Sequence, residues 1–201
     1  MKGITLKISK PTDKLSIGSS KLFGNPDVWD GFEWPYIEEN GEKYDLNFLC
    51  QINCEQAAAF DKEGWLPKTG MLSFFYDLDT MPEAPDEKSA RVLWYNGDVS
   101  ALNEMILTDE NGNGLAFSEQ RIDFDAADAD KPSSHLLLGK MTSDAAGNGD
   151  GIQDGVPLLR LCSFETEDAH IRFRGNGMLC FSIEKEKLGA CDFSEVKAAQ
   201  I

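Results

Sequence analysis

Short apolar segments of four to six residues follow one another along this chain, and Gly, Asn, Asp or Pro separates them. Segments of this length that are rich in Phe, Leu, Ile and Tyr are typical of β-strands. Near the start, Ile4, Leu6 and Ile8 alternate with polar residues, which is the period-two pattern of a half-buried strand. Further strands are predicted at residues 48–52, 71–76, 91–95, 121–124, 135–138, 158–162, 170–174 and 178–183.

Helical patterns are fewer. Val99, Leu102 and Ile106 share one helical face after Asp98, a favourable N-cap residue, and so predict a helix there. Residues 55–60 and 194–199 each have the length of two helical turns. The chain of 201 residues suits one domain, residues 1–201. The fold class expected is therefore mainly β (α+β at class level), with antiparallel roll-like sheets in two related halves and a few short helices.

Two stretches of the chain share an order of residues that indicates an internal repeat. In residues 46–77 and again in residues 156–184, an apolar strand containing a cysteine is followed by Gly-Met-Leu, which opens a second strand. The spacing from that cysteine to the glycine is 20 residues in the first stretch and 15 in the second. Duplication of one sheet unit and chance likeness of two short apolar strands both account for the similarity.

Six short motifs occur in a fixed order along the chain. They are SKLFGNPD at 20–27, GFEWP at 31–35, LNFLCQIN at 46–53, LPKTGMLSFFYD at 66–77, RVLWY at 91–95 and HLLLG at 135–139. Together they resemble the YwqG-like family, a bacterial domain of unknown function, over most of the chain. The resemblance implies a mainly β fold with a few helices. It implies no established activity, so no catalytic residue is carried over.

The chain departs from the family pattern at several positions. Phe23 stands where the family usually has a second glycine, which predicts a differently bent turn. Three further departures lie at 140–141, 161–163 and 173–176, all in the C-terminal half. A polar site that the family shares in that half is therefore in doubt here.

The chain is strongly acidic. Its 35 Asp and Glu against 19 Lys and Arg give a formal net charge of −16 at pH 7. This charge disfavours nucleic acid and anionic membrane surfaces, because each contact with a phosphate works against net repulsion. The first residues show no basic stretch followed by an apolar block, and five scattered cysteines do not form an even disulfide set. We expect a cytoplasmic protein.

Three residues are candidates for binding, and no residue is a candidate for catalysis. Trp34 lies in an aromatic-rich segment, which suits either a ligand groove or the packing of a long loop against a sheet. Arg91 opens a strand in an acidic chain, where a structural ion pair is favoured over an anion site. His135 also opens an apolar strand, and a base or ligand role there competes with a structural hydrogen bond.

No metal or cofactor site is predicted. Cys50 and Cys54 do not have the two-residue spacing of structural zinc sites. Residues 148–154 have the oxygen-ligand spacing of an EF-hand loop. The first ligand position of such a loop falls on Ala146 and its last on Pro157, which favours a flexible loop over weak calcium binding. The four aspartates of the run 123–130 are favoured as a solvated strand edge. The motifs of phosphate loops, serine hydrolases and zinc proteases do not occur in the sequence.

Two functions from different classes remain open. The first is a non-enzymatic cytoplasmic binding protein whose acidic surface takes a basic protein partner, in the manner of an immunity protein that neutralises a toxin. The second is a small-molecule-binding protein or an uncharacterised enzyme, with a pocket between the two sheet units that uses His135. Salt separates them, because it weakens a steered protein association far more than binding in an enclosed apolar pocket.

Overall fold

The structure, a computed structural model, describes residues 2–82, 88–125, 134–139 and 155–201. Its strands are β1 (Ile4–Ser9), β2 (Lys21–Leu22), β3 (Asp27–Val28), β4 (Tyr36–Glu39), β5 (Glu42–Asp45), β6 (Asn47–Asn53), β7 (Met71–Tyr76), β8 (Ala90–Tyr95), β9 (Asn103–Glu104), β10 (Gln120–Asp125), β11 (His135–Leu137), β12 (Gly155–Cys162), β13 (Phe164–Glu165), β14 (His170–Ile171), β15 (Met178–Glu184) and β16 (Lys197–Gln200). Its helices are α1 (Cys54–Ala58), α2 (Lys185–Gly189) and a 3-10 turn at Val99–Ala101.

Ten strands form one antiparallel sheet in the order β16-β15-β12-β11-β1-β10-β2-β6-β7-β8, and this sheet is nearly closed into a barrel. Of the described residues, 42% lie in strands and 8% in helices, so the predicted mainly β class is confirmed. Every predicted strand overlaps an observed one, although the strand predicted at 170–174 ends at Ile171. The two halves are continuous within the single large sheet.

The two ends of this sheet are built alike: β8-β7-β6-β2 at one end corresponds to β16-β15-β12-β11 at the other. β6 pairs with β7 and β12 pairs with β15, and each pair contains one bulge, at Leu49 in β6 and at Leu158 in β12. The carbonyl of Leu49 accepts a hydrogen bond from the Phe23 N–H at 2.7 Å, and that of Leu158 accepts one from the Leu138 N–H at 2.8 Å. The two halves therefore share their bulge and its hydrogen bond. Their origin by duplication stays a prediction.

Phe23 and Leu138 also share an uncommon backbone conformation. Their φ angles are 57° and 60°, in the left-handed region, and a glycine with positive φ follows each of them. Phe23 thus keeps the conformation that a glycine at this position would adopt at lower steric cost. Its ring packs between Phe117 and Phe164, at centroid distances of 5.1 and 5.2 Å. The packing of the Phe23 ring therefore offsets the steric cost of the left-handed conformation at this turn.

The interior of the barrel is apolar and aromatic. Phe74 in β7 and Phe181 in β15 are fully buried and meet edge to face, with ring centroids 5.4 Å apart. These two phenylalanines follow the Gly-Met-Leu motif at the same distance in each half. The core therefore joins the two halves through equivalent side chains.

One predicted helix is present and one is wrong in its extent. α1 overlaps the helix predicted at 55–60 but begins at Cys54 and ends at Ala58, and the side chain of Asn53 caps it by accepting from the Glu55 and Gln56 N–H groups. After Asp98, which caps the Ser100 N–H, the structure has only the 3-10 turn. The apolar spacing that extended this helix to Ile106 was misleading, because Ile106 is exposed.

The helix predicted at residues 194–199 is wrong. Residues 197–200 form β16, which pairs with β15 at the end of the sheet. Ala198 and Ala199 are buried there, so pairing and burial override the helical preference of alanine. The remaining helix, α2, precedes β16 and is not foreseen from the sequence.

The aromatic segment after β3 packs on the outside of the barrel. Phe32 and Trp34 lie on Phe75 of β7, and Trp29 stacks on Tyr95 of β8 with ring centroids 5.5 Å apart. β3 pairs with β9 in a short ladder, while β4 and β5 form a separate hairpin. This outer layer carries the surfaces described next.

Some predictions cannot be compared with the structure. The calcium hypothesis at 148–154 lies outside the described residues, as do residues 126–130 of the acidic run 123–130. Along the parts of the chain that are described, no helix has the length and apolar character needed to cross a bilayer.

Candidate binding surfaces

Trp34 and Arg91 line the same cleft, which has a volume of about 460 Å³ and lies between residues 33–38 and β8. The indole N–H of Trp34 donates to the carbonyl oxygen of Leu46 at 2.8 Å, and its ring meets Phe75 edge to face. These contacts fix the plane of the ring. Leu93 of β8 continues the apolar part of the lining. Trp34 therefore serves both alternatives, packing the outer layer and lining a groove.

The rest of the cleft carries charges of both signs. Arg91 and Lys88 provide cations, while Glu33 and Glu38 provide carboxylates. One guanidinium nitrogen of Arg91, Nη1, donates to the carbonyl of Ala90 at 2.7 Å, so part of this group already holds the start of β8. The lining suits a ligand with an apolar body and separated positive and negative groups.

His135 lies away from this cleft, in the middle of the sheet. Its Nδ1 accepts a hydrogen bond from the Cys162 N–H at 3.1 Å, which places the proton of the neutral ring on Nε2. Burial, and to a smaller extent the charge of Arg160, lowers the pKa of His135 to about 4. The side chain therefore acts as a neutral acceptor that joins β11 to β12, and it is a weak base near pH 7.

We predict that this histidine makes the protein less stable in mild acid. The unfolded chain takes up the proton near pH 6.5, whereas the folded chain takes it up near pH 4. Between these values the unfolded state binds more protons, so the free energy of unfolding falls as the pH falls, by roughly 2–3 kcal/mol. Urea unfolding at pH 7 and pH 4.5 measures the loss.

The control separates this effect from that of the many carboxylates. His135→Asn keeps an acceptor near the position of Nδ1 but does not titrate, so its stability is expected to fall less between the two pH values than that of the wild type. His170→Asn removes an exposed histidine and is expected to behave like the wild type. Equal pH dependence of wild type and His135→Asn would refute the assignment.

The cysteines are not activated. All five are free, and burial raises the pKa of Cys54 and Cys180 to about 12 and that of Cys50 further. A thiol with so high a pKa is neither a nucleophile nor a ready metal ligand at neutral pH. Within the described ranges, no group of three His, Cys, Asp or Glu side chains has the geometry to hold a metal ion.

A buried ion pair lies beneath the outer layer, and sequence reasoning missed it. Lys21 Nζ and Asp27 Oδ1 are 3.0 Å apart, and only 2% and 1% of the two side chains are exposed. Asp27 Oδ2 also accepts from the Gly18 N–H at 2.8 Å and from Gln51 Nε2 at 2.7 Å. These contacts hold residues 18–27 against β6. The cluster does not form a ligand site, because its charged groups are buried.

Two hairpins of the outer layer carry exposed carboxylates. The first is the β4–β5 hairpin, in which only Ile37 is even partly buried. Residues 30–45, which contain it, hold one lysine and six exposed acidic residues, Asp30, Glu33, Glu38, Glu39, Glu42 and Asp45. We call this segment the first acidic hairpin.

The second acidic hairpin comprises residues 105–117. The Leu115 N–H donates to the carbonyl of Leu107 at 2.9 Å, and Thr108 bridges Gly114. No lysine or arginine occurs between Arg91 and Arg121. The acidic residues of that interval are Asp98, Glu104, Asp109, Glu110 and Glu119. The sequence does contain a signal for this hairpin, since Asn-Gly-Asn-Gly at 111–114 separates two apolar stretches.

A family model with the description "Domain of unknown function (DUF1963)" matches residues 20–199. The matched part begins just before β2, so it leaves out β1, and it includes the strand pairs β6–β7 and β12–β15 and both acidic hairpins. No curated protein matches the chain. No residue therefore takes a role from a characterised relative, and the function has to be argued from the surfaces of this chain.

Proposed function

The chain belongs to the DUF1963 family of domains of unknown function, and we propose that it is a non-enzymatic binding protein that holds a basic protein partner on its acidic surface. The proposal includes a cytoplasmic location, bacterial origin and the finer resemblance to the YwqG-like proteins. It also includes the manner of action of an immunity-like protein, in which binding alone neutralises the partner.

The observation that carries this proposal is the set of carboxylates on the two acidic hairpins. The first acidic hairpin exposes six of them beside a single lysine, and the second has Asp109 and Glu110 and no basic residue. Like charges held close together on a surface create a local field that attracts and orients a partner of opposite charge. Nucleic acid and anionic lipid would be repelled by the same field.

The environments of His135 and of the buried thiols favour binding over catalysis. His135 uses Nδ1 to accept a backbone hydrogen bond, and its pKa of about 4 makes it a poor base near pH 7. Three of the thiols are buried with raised pKa values. These groups stabilise the fold.

The test is a pull-down of the tagged protein from its own cell lysate, washed at low and at moderate salt and identified by mass spectrometry. We expect a stoichiometric partner with a basic isoelectric point, released at moderate salt. Kinetics with that purified partner should then show an association rate that falls steeply as ionic strength rises. An empty pull-down at both salt concentrations, or a partner that is acidic, would contradict the proposal.

A small-molecule-binding protein is the second candidate, and the cleft of Trp34 and Arg91 is the observation that favours it. Its volume of about 460 Å³ lies within the range of ligand sites in proteins. The cleft lies on the outside of β8, so it differs from the predicted pocket between two sheet units and does not include His135. Binding in it would depend on salt much less than binding of a basic protein.

A further inference from the structure

We propose that the second acidic hairpin, residues 105–117, is the docking element for the partner, and that the partner offers aliphatic or aromatic side chains surrounded by Lys and Arg. This inference rests on the proposed function and adds to it the surface and the chemistry of what binds there. A purely acidic surface would select a partner by charge alone. This hairpin carries exposed apolar side chains as well as carboxylates.

Exposed apolar side chains are concentrated on this hairpin. Seven large apolar residues are exposed in the described part of the chain, and four of them lie here. The exposed fractions are 37% for Met105, 67% for Ile106, 63% for Leu115 and 38% for Phe117. Apolar side chains grouped in this way on a projecting element are typical of interaction surfaces.

The hairpin is held in place before any partner arrives. The Met105 N–H donates to the carbonyl of Pro26, and the Gly24 N–H donates to the carbonyl of Phe117 at 3.1 Å. The ring of Phe117 also packs on Phe23, which joins the hairpin to the barrel. A fixed element loses little conformational entropy on binding, so its exposed area contributes more to affinity.

The turn of the hairpin is ordered around a carboxylate. Asp109 Oδ1 accepts from the Asn111 and Asn113 N–H groups, each at 2.8 Å, and Asn113 Nδ2 donates to its other oxygen. Glu110 is next to it and exposed. Two carboxylates at the tip and apolar side chains along both legs match a partner surface with the same arrangement and opposite charge.

A second class of target is a membrane surface, into which exposed Ile106 and Leu115 would insert. Anionic lipid would repel the carboxylates of this region, and the interval 92–120 has no lysine or arginine to bind headgroups. The charge complementarity therefore favours a protein, and lipid binding becomes an outcome of the test.

The experiment uses the full chain and short labelled peptides of defined composition, with fluorescence anisotropy at low and moderate salt. One peptide alternates Lys or Arg with Leu or Phe, one alternates Lys with Ser, and one alternates Glu with Leu. We expect the wild type to prefer the basic apolar peptide. The double variant Ile106→Ser/Leu115→Ser is expected to bind it at least about tenfold more weakly.

The matched control is Ile17→Ser, which removes an exposed large side chain, 41% exposed, that lies on neither acidic hairpin. It is expected to bind like the wild type, and circular dichroism and thermal unfolding are used to check that both variants fold. Equal binding by the wild type and the double variant would overturn the docking inference while the proposed function stands. Equal binding of the two basic peptides would overturn it as well.

The remaining outcomes concern the class of partner. No binding to either basic peptide, together with an empty pull-down, would overturn both this inference and the proposed function. Binding of the wild type to neutral phosphatidylcholine vesicles, lost in the double variant, would overturn the protein partner in favour of a membrane. Each result therefore separates the surface from the function that it serves.

Discussion

Asp27→Ala is expected to lower the free energy of unfolding by about 3 kcal/mol or more, because it leaves the ammonium group of Lys21 buried without its nearest counter-charge. The two charges are 3.0 Å apart and almost wholly excluded from solvent. The substitution also removes the acceptor of the Gly18 N–H and of Gln51 Nε2. Glu119 Oε2, 4.0 Å from Lys21 Nζ, is too distant to replace all of these contacts. Urea unfolding measures the change.

A surface ion pair supplies the matched control. Lys10 Nζ and Glu167 Oε2 are 2.6 Å apart, closer than the buried pair, but 71% and 78% of their side chains are exposed. Glu167→Gln is expected to change the free energy of unfolding by less than about 1 kcal/mol, since water and salt screen such pairs. Comparable losses for Glu167→Gln and Asp27→Ala would contradict the role of burial.

A double variant separates the stranded charge from the lost hydrogen bonds. Lys21→Met removes the ammonium group and keeps a side chain of similar length. Lys21→Met/Asp27→Ala is therefore expected to be more stable than Asp27→Ala alone, because no uncompensated charge stays buried. It is expected to remain less stable than the wild type, because the Gly18 N–H still lacks its acceptor. A double variant less stable than Asp27→Ala would contradict the argument.

The strands of the main sheet were predictable because their apolar residues alternate and turn residues bound them. Residues 71–76 are predicted with the observed bounds of β7. Patterns that depend on distant partners were not predictable. β16 has an alanine-containing sequence with helical preference, and only its pairing with β15 makes it a strand. β2 has two residues and exists because β6 and β10 flank it.

The candidate surfaces were predictable only in part. Trp34 and Arg91 were identified by composition and local context, but a sequence does not show that residues 57 positions apart line one cleft. His135 was identified because histidine is rare here, and the structure gives it a backbone hydrogen bond far from that cleft. The second acidic hairpin was hidden by a helical spacing that included Ile106. Exposure, which identifies the hairpin, is a property of the fold.

The buried pair and the hairpin follow from the same arrangement of the chain. Lys21 and Asp27 hold the segment that runs from β2 to β3, and the backbone of this segment at Gly24 and Pro26 carries the second acidic hairpin. Burial of this charge pair costs free energy unless the two groups stay in contact, so the pair keeps the segment in one position. The acidic surface is thereby supported from within the protein.

Gly70→Ala is expected to be among the most destabilising single substitutions, with a loss of at least about 3 kcal/mol. Gly70 has a φ of +87°, and a Cβ there would lie 1.9 Å from the carbonyl oxygen of Tyr95. Both the left-handed conformation and the clash with backbone oppose the methyl group. The strand pair of β7 and β8 would have to separate at this point, and urea unfolding measures the loss.

The other half of the sheet provides the comparison. Gly177 opens the second Gly-Met-Leu motif, and its φ is +77°, but a Cβ there would lie 3.2 Å from the hydroxyl of Ser163, which would have to shift by only a few tenths of an ångström. The carbonyls of Gly70 and Gly177 accept equivalent hydrogen bonds, from the Cys54 and Ser163 N–H groups at 2.9 and 2.6 Å. Gly177→Ala is therefore expected to cost only the conformational strain, about 1–2 kcal/mol. Equal losses for the two variants would show that the close approach of the Tyr95 carbonyl does not constrain Gly70. A larger loss for Gly70→Ala would show that the two glycines share a backbone conformation, but that a neighbouring strand lies closer to Gly70 than to Gly177.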